Sequence, residues 1–281
     1  MGFTDYLQYG FIQRALISGV FIALLCSVLG VLIVLRRLSL IGDGLAHVTF
    51  GGVALGLALR IYPLYVTLPI VLVSSLGILK LTEKARMMGD AAIGVVSSVG
   101  IAGGVILASL AGGFNVDLFS YLFGNILAIS REETILSVIL SAFVLGVLLF
   151  YYDEILSITF DEEFARVSGI PTDRINKILV ILTAVTVVLT MNVVGILLIS
   201  ALLILPAVTA FQLARGFRGS LAISALTAVA SVIAGIFISI ALNLPTGATI
   251  VLTNFFLFVL AFLYRFAKDR AGAQPRQQVR R

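Results

Sequence analysis

Long uninterrupted apolar runs constrain the fold of this chain more than any other feature of its sequence. A helix needs about 20 apolar residues to cross the ~30 Å hydrocarbon core of a bilayer. Because a backbone in lipid must satisfy its own hydrogen bonds, such runs predict helices. The candidate spans lie near Phe11–Leu35, Ile41–Ile61, Tyr65–Leu81, Ala91–Ala111, Ile135–Tyr152, Ile175–Met191, Val194–Leu213, Leu221–Leu242 and Ala248–Phe266.

The number of spans is open between eight and nine. Only residues 191–193 separate the sixth apolar stretch from the seventh, and Pro206 interrupts the seventh stretch. The continuous runs also differ from the alternating pattern of outer-membrane β-barrel strands. We therefore predict an all-α, polytopic transmembrane helix bundle with eight or nine spans.

The composition excludes a soluble globular protein. Hydrophobic residues make up 60% of the chain and charged residues 12%, whereas soluble domains carry about 25% charged residues. Residues 1–281 are therefore expected to form one integral membrane domain, a multi-pass protein of the cell membrane. The polar, basic residues 265–281 are expected to be a disordered cytoplasmic tail.

The basic residues predict the orientation of the chain, because lysine and arginine accumulate on the cytoplasmic side. With nine spans and the N-terminus outside, the outer side carries only Arg14, Arg60 and Arg131. The loop from Asp153 to Asn176 is cytoplasmic for either number of spans. Since the basic residues act as flanks of apolar segments, the net charge of +5 does not indicate nucleic-acid binding.

The only histidine of the chain lies one helical turn after an aspartate, inside the second apolar stretch. At this spacing Asp43 and His47 share one face of a helix. Carboxylate oxygens and neutral imidazole nitrogens both bind divalent cations, and ionisable groups in a membrane are costly unless they face a cavity or a partner. The alternative is structural: Asp43 caps the second helix and His47 bonds to a backbone carbonyl.

Two ligands hold a metal ion poorly, and the chain has no second histidine and no cysteine near the pair. A two-fold homodimer brings together two imidazole nitrogens and two carboxylates around one ion. Gly52 and Gly56, at GxxxG spacing, suit close helix approach. The pair therefore predicts a metal site built by two copies of the chain.

A second candidate segment is "FDEEFARVSGIPTDR", Phe160–Arg174, in the cytoplasmic loop. Acidic residues favour the start of a helix, and Gly169 followed by Pro171 favours its end. We predict a short helix whose Phe164 and Val167 dock on a cytoplasmic partner, with a plain connector as the alternative. The residues assigned to this segment are Asp161, Glu162, Glu163, Phe164, Ala165, Arg166, Gly169 and Pro171.

Two further features are candidates for lining or gating a path. The segment "DLFSYLFGNIL", Asp117–Leu127, is too short to cross the bilayer and contains Asp117 and Asn125. Pro206 lies inside an apolar stretch, where it frees a backbone carbonyl and permits a kink. The alternative for the short segment is that it fills a gap in the packing. A proline kink is common in transporters and does not by itself indicate a particular role.

The motifs of the common enzyme classes are absent from the sequence. It contains no P-loop GxxxxGK[ST], no HExxH, no GxSxG and no cysteine pair. The chain is therefore not expected to bind ATP through a P-loop of its own or to be an enzyme.

Four segments follow one another along the chain: "VLRRLSLIGDGLAHVTFGGVALG", "DLFSYLFGNIL", "FDEEFARVSGIP" and "VVGILLISALLILPAVTA". Taken together and in this order, they resemble the membrane permeases of ATP-binding-cassette importers for zinc, manganese or iron. The similarity covers roughly Phe11 to Phe266.

The resemblance implies a homodimer that sits on two copies of a cytoplasmic ATP-binding subunit. It also implies that an extracellular or periplasmic metal-binding protein delivers the cargo. The family's Asp-x-x-x-His pair corresponds to Asp43 and His47, which the resemblance associates with the metal path. The residues of Asp161–Pro171 correspond to the helix that docks on the ATPase. A divalent metal is then the transported substrate, and no cofactor is bound permanently.

Several positions depart from the family's pattern. Ala46 stands where many members have serine, Gly51 where they have proline, and Glu162 where they have proline. Ala248 replaces another frequent proline. None of these departures removes a candidate ligand, but they leave the identity of the metal open.

Other function classes are compatible with parts of the sequence. A proton-coupled secondary transporter would use Asp43 or His47 as the titrating group. A permease for siderophores or cobalamin would need a wider cavity without a ligand pair. A membrane scaffold or receptor would need neither residue.

Overall fold

The computed structural model describes residues 8–83, 85, 87–113, 116–124, 129–191 and 194–272. Over these residues the chain is helical and contains no strand. The helices are α1 (Gly10–Leu35), α2 (Ile41–Leu59), α3 (Pro63–Glu83), α4 (Gly89–Leu110), α5 (Val116–Phe123), α6 (Arg131–Phe150), α7 (Tyr152–Phe160), α8 (Glu162–Val167), α9 (Thr172–Thr190), α10 (Ile199–Leu213), α11 (Phe217–Leu242) and α12 (Thr246–Gly272).

All nine apolar stretches form helices, which confirms the all-α prediction. Among the described residues, seven helices are long and apolar enough to cross a membrane: α1, α2, α3, α4, α6, α11 and α12. The other two predicted spans correspond to α9 and α10. The first turns of α9 carry Asp173, Arg174 and Lys177, and α10 has only 15 residues.

The described residues that border the turn between α9 and α10 are covered by protein. Met191, Val194 and Ile196 are fully buried. Gly195 lies so close to the backbone at the end of α5 that a Cβ there would fall 2.5 Å from the amide nitrogen of Gly124. The length of an apolar run does not reveal whether lipid or protein surrounds it. The prediction of eight or nine spans is therefore not confirmed, since seven of the described helices meet the length and composition of a span.

Polar contacts between distant segments sort the helix ends into two groups. Arg14, near the start of α1, donates from Nε to the carbonyl of Ile129, just before α6, over 2.8 Å. Arg36, at the opposite end of α1, lies against Glu162 of α8 and Asn176 of α9. The end of α1 and the loop that carries α8 therefore share one end of the bundle, as the predicted alternation requires.

The centre of the bundle is formed by α1, α2 and α9. These helices are mostly buried, whereas a third or fewer of the residues in α3, α4, α6, α11 and α12 are buried. Gly30 allows α10 to approach α1, because a Cβ at this position would meet the backbone of Leu203. This packing brings the start of α10 against the first turn of α2.

The last helix is longer than the sequence suggests. We predict a disordered tail from residue 265, whereas α12 continues to Gly272. Within this helix Arg265 pairs with Asp269, 3.8 Å away. Arg265 also donates a hydrogen bond to Gln212 of α10 over 3.0 Å. Residues 273–281 lie outside the described part of the chain.

Candidate functional site

Asp43 and His47 lie one turn apart on α2. The helix begins at Ile41, and Asp43 occupies its first turn. Asp43 is exposed and His47 is half-buried. The packing within one copy of the chain therefore leaves the pair partly open.

Each of these two side chains meets a serine from a different helix. Ser200, at the start of α10, donates to Oδ1 of Asp43 over 3.4 Å. The Oγ of Ser97, on α4, lies 2.5 Å from Nδ1 of His47. The pair is therefore held where three helices, α2, α4 and α10, come together.

The same contacts argue against the structural alternative for the pair. The N-cap of α2 is Leu40, so Asp43 does not cap this helix. The partner of His47 is a side-chain hydroxyl instead of a backbone carbonyl. Both expectations of that alternative are wrong.

The contact with Ser97 bears on which nitrogen of His47 can bind a cation. When Nδ1–H donates to the hydroxyl of Ser97, Nε2 carries the free lone pair. Metal-binding histidines commonly donate their second ring N–H to an oxygen in this way, which fixes the orientation of the ring. Ser97 is therefore a candidate positioning residue for a ligand nitrogen at Nε2.

Replacing Ser97 with alanine is expected to weaken binding of Mn²⁺ and Zn²⁺ by about tenfold or more, the usual effect of removing the partner of a metal-binding histidine. Ser98→Ala, at an exposed position next along the same helix, is the matched control. Isothermal titration of the purified protein with each ion measures the effect. Equal affinities in the two variants would contradict the positioning role.

One chain offers only part of a coordination shell. Among the residues that the structure describes, no group of three or more histidine, cysteine, aspartate or glutamate residues is arranged to hold a metal ion. Asp43 and His47 thus supply two ligands per chain. The four-ligand site formed by two copies stays a prediction.

The segment Phe160–Arg174 forms the short helix that its sequence predicts. The Asp161 carboxylate caps α8 by accepting from the backbone N–H of Phe164 over 2.9 Å. The helix ends at Val167, and Gly169 has a φ of 87°, a left-handed conformation that glycine adopts without strain. Pro171 then occupies the N-cap position of α9.

One side of α8 is anchored to the protein and the other is open. Ala165 is fully buried, whereas Phe164 and Val167 are 69% and 88% exposed. Glu163 and Arg166 are also exposed, and Glu162 is half-buried beside Arg36. An exposed apolar surface rimmed by charges is typical of a protein contact site.

The candidate path residues are only partly described. The side chain of Asp117, in α5, and the whole of Asn125 lie outside the described residues. Pro206 is buried inside α10, the helix that carries Ser200. The role of all three in a path stays a prediction.

Four polar residues near these sites were missed by the sequence reasoning: Ser97, Ser200, Arg36 and Asn176. The two serines interrupt apolar runs, but so do Ser18 and Ser75, which lie elsewhere in the bundle. For Arg36 the sequence indicates only a charge that flanks an apolar segment. Asn176 has a signal in the sequence, because it is an uncharged polar residue between Arg174 and Lys177 at the start of an apolar stretch. In the structure it is buried.

Comparison with known proteins confirms the family resemblance. Residues 8–265 match the ABC 3 transport family. The manganese transport system membrane protein MntC of Halalkalibacterium halodurans is 33% identical over 262 residues, covering 93% of this chain and 90% of that protein. The high-affinity zinc uptake system membrane protein ZnuB of Haemophilus influenzae is 34% identical over 251 residues, covering 89% and 96%.

A solved structure has the same fold. A chain in the structure of PsaBC from Streptococcus pneumoniae in complex with Fab matches with a TM-score of 0.83 and 32% identity, covering 92% of this chain and 94% of that chain. The sequence and the fold thus agree over nearly the whole length. This chain is a multi-pass membrane protein of the ABC 3 transport family.

Proposed function

We propose that this chain is the permease subunit of an ATP-driven importer of a divalent transition metal, manganese or zinc, with iron as a further candidate. The observation that carries the proposal is the Asp43 and His47 pair, in which each side chain meets a serine from a neighbouring helix. The names of the relatives MntC and ZnuB support manganese and zinc. Two aspartates and two histidines suit either ion.

The proposed assembly is a homodimer in which each copy contributes one pair. A separate cytoplasmic subunit hydrolyses ATP and docks on α8, and an extracellular or periplasmic protein delivers the metal. Movements of the helices would then expose the site to each side of the membrane in turn. The exposed Phe164 and Val167 support α8 as the docking surface.

We also propose that α9 and α10 insert into the membrane together with the seven long helices, which gives nine inserted helices. The buried Met191 and Val194 support a turn that stays within the protein. A membrane-impermeant thiol reagent is expected to label Ile61→Cys, at an exposed position between α2 and α3, but not Met191→Cys. If the reagent labels both cysteines equally, then the α9–α10 turn faces the outer solution.

Proteoliposomes test the proposed transport directly. Vesicles that contain the chain and its ATPase should accumulate Mn²⁺ or Zn²⁺ only when ATP is supplied. Accumulation driven by a proton gradient without the ATPase would favour a secondary transporter. Absence of uptake of either metal under both conditions would contradict metal transport.

In the same assay, Phe164→Ala is expected to lower both stimulated ATP hydrolysis and uptake by about tenfold, because truncating an aromatic anchor at an interface commonly removes more than 1 kcal/mol of binding. Phe143→Ala is the matched control, since Phe143 is 62% exposed on the distant helix α6. Normal coupling in Phe164→Ala would contradict α8 as the docking surface.

A further inference from the structure

A closed polar triad lies where α1, α8 and α9 meet. The Nη2 of Arg36 donates to Oδ1 of Asn176 over 2.7 Å and to Oε2 of Glu162 over 3.4 Å. The Nδ2 of Asn176 donates to Oε1 of Glu162 over 3.0 Å. Each of the three side chains therefore bonds to the other two, and each comes from a different segment.

The triad is more strongly held than a surface ion pair. The side chain of Arg36 is only 11% exposed, and Asn176 is buried. Burial lowers the pKa of the Arg36 guanidinium, and the charge and hydrogen bond of Glu162 oppose this shift. A buried charge that loses its partner is costly, so Arg36 is expected to follow Glu162 when α8 moves.

On the α8 side, the triad is continuous with a second set of contacts. Arg166 lies 3.5 Å from Glu162 and 3.6 Å from Asp173, and its Nε donates to Thr172 over 3.2 Å. Arg166 is well exposed, so these bonds contribute little stability individually. They join α8 to the start of α9 in the same place where Asn176 joins α9 to Arg36.

On its other side, the triad is connected to the candidate metal site through the backbone between Arg36 and α2. Arg36 follows the last residue of α1, and a tight turn separates it from the start of α2. In this turn the amide of Leu38 donates to Ile33 and the amide of Ile41 donates to Leu38, so the two helices are closely connected. Asp43 lies in the first turn that follows.

We propose that the triad of Glu162, Arg36 and Asn176 transmits displacement of α8 to the α1–α2 turn, and through it to the first turn of α2. These residues are positioning residues that act on Asp43 from a distance. The inference rests on the proposed docking of an ATPase on α8. Glu162 is thereby assigned a function beyond the docking surface itself, because it faces Arg36.

The test uses the full complex and an environment-sensitive fluorophore on a single cysteine. Labels at Ser168→Cys and at Leu40→Cys report α8 and the start of α2, respectively, and both native side chains are exposed. A non-hydrolysable ATP analogue should change both signals. With Asn176→Asp, the signal at Ser168 should persist and most of the signal at Leu40 should disappear.

Asn176→Asp is the preferred variant because it keeps a charged partner for Arg36 while placing two carboxylates against each other. Glu162→Gln is the second variant, and Asp153→Asn, at an exposed position of α7, is the control. Metal transported per ATP should fall about tenfold in both variants, within the usual range of coupling between sites. The two substitutions combined should be no worse than the more severe one alone, because they break the same linkage.

Two results would overturn the inference in distinguishable ways. A signal at Leu40 that persists in Asn176→Asp, together with normal transport per ATP, would refute the triad alone. Absence of any nucleotide response at Ser168 in the unmodified protein would refute the docking of an ATPase on α8 and the triad with it.

Discussion

Replacing His47 with alanine is expected to reduce uptake of Mn²⁺ and Zn²⁺ by more than about 100-fold, because losing a metal ligand costs more than losing the partner that orients it. In a homodimer the single substitution removes both imidazoles. The protein should still fold and insert, since the hydrogen bond lost to Ser97 contributes only about 1 kcal/mol. Uptake of each metal by proteoliposomes, beside the amount of protein in the membrane, measures the effect.

His47→Asn separates the role of Nε2 from that of Nδ1. The asparagine amide can take the place of Nδ1 beside Ser97, but it has no atom in the position of Nε2. We expect this variant to match the stability of the unmodified protein and still to lose uptake. Uptake at the normal rate in either variant would show that the imidazole is not a metal ligand.

The helical pattern could be predicted from the sequence because the requirements of the bilayer are simple. The long apolar runs lead directly to helices such as α1 and α12. The same argument does not resolve α9 and α10, because many of their apolar residues are buried within the protein. Run length measures how much apolar surface a segment has, whereas the number of spans depends on what surrounds that surface.

Structural features that depend on residues a few positions apart could be predicted from the sequence. The acidic start and the glycine stop of α8 were predicted correctly, because capping and left-handed backbone conformations involve residues only a few positions apart. The one-turn spacing of Asp43 and His47 follows from the geometry of any helix.

The partners of those residues depend on tertiary packing. Ser97 and His47 are 50 positions apart, and Ser200 and Asp43 are 157 apart. Such pairings arise only when α4 and α10 settle against α2. No periodicity in a single sequence encodes them, which is why the candidate ligands were found and the serines that contact them were not.

Close packing of α4 on α2 places Ser97 beside His47, and glycines make that packing possible. A Cβ on Gly100 would fall 2.8 Å from the Cα of Val48 and 2.9 Å from its backbone nitrogen. Val48 follows His47, and Gly100 lies one turn after Ser97. The obstructing atoms belong to the helix backbone, so they cannot move aside as a flexible side chain can.

Gly100→Ala is therefore expected to push α4 away from α2 at the level of the metal pair. Overpacking of this kind costs about 1–3 kcal/mol, and the 2.5 Å contact between Ser97 and His47 should lengthen. We expect a lower midpoint of thermal unfolding in detergent and a loss of metal uptake larger than that of Ser97→Ala. Uptake should fall further because the displacement affects the whole helix and not only one hydroxyl.

Gly103→Ala supplies the matched control on the same helix. A Cβ at Gly103 would meet no atom of the chain within 4 Å, and alanine is favoured over glycine inside a helix by about 0.5–1 kcal/mol. This variant should be at least as stable as the unmodified protein, whereas Gly100→Ala should be less stable. If both variants unfold at the same temperature and transport metal equally well, then close contact between α2 and α4 does not position His47.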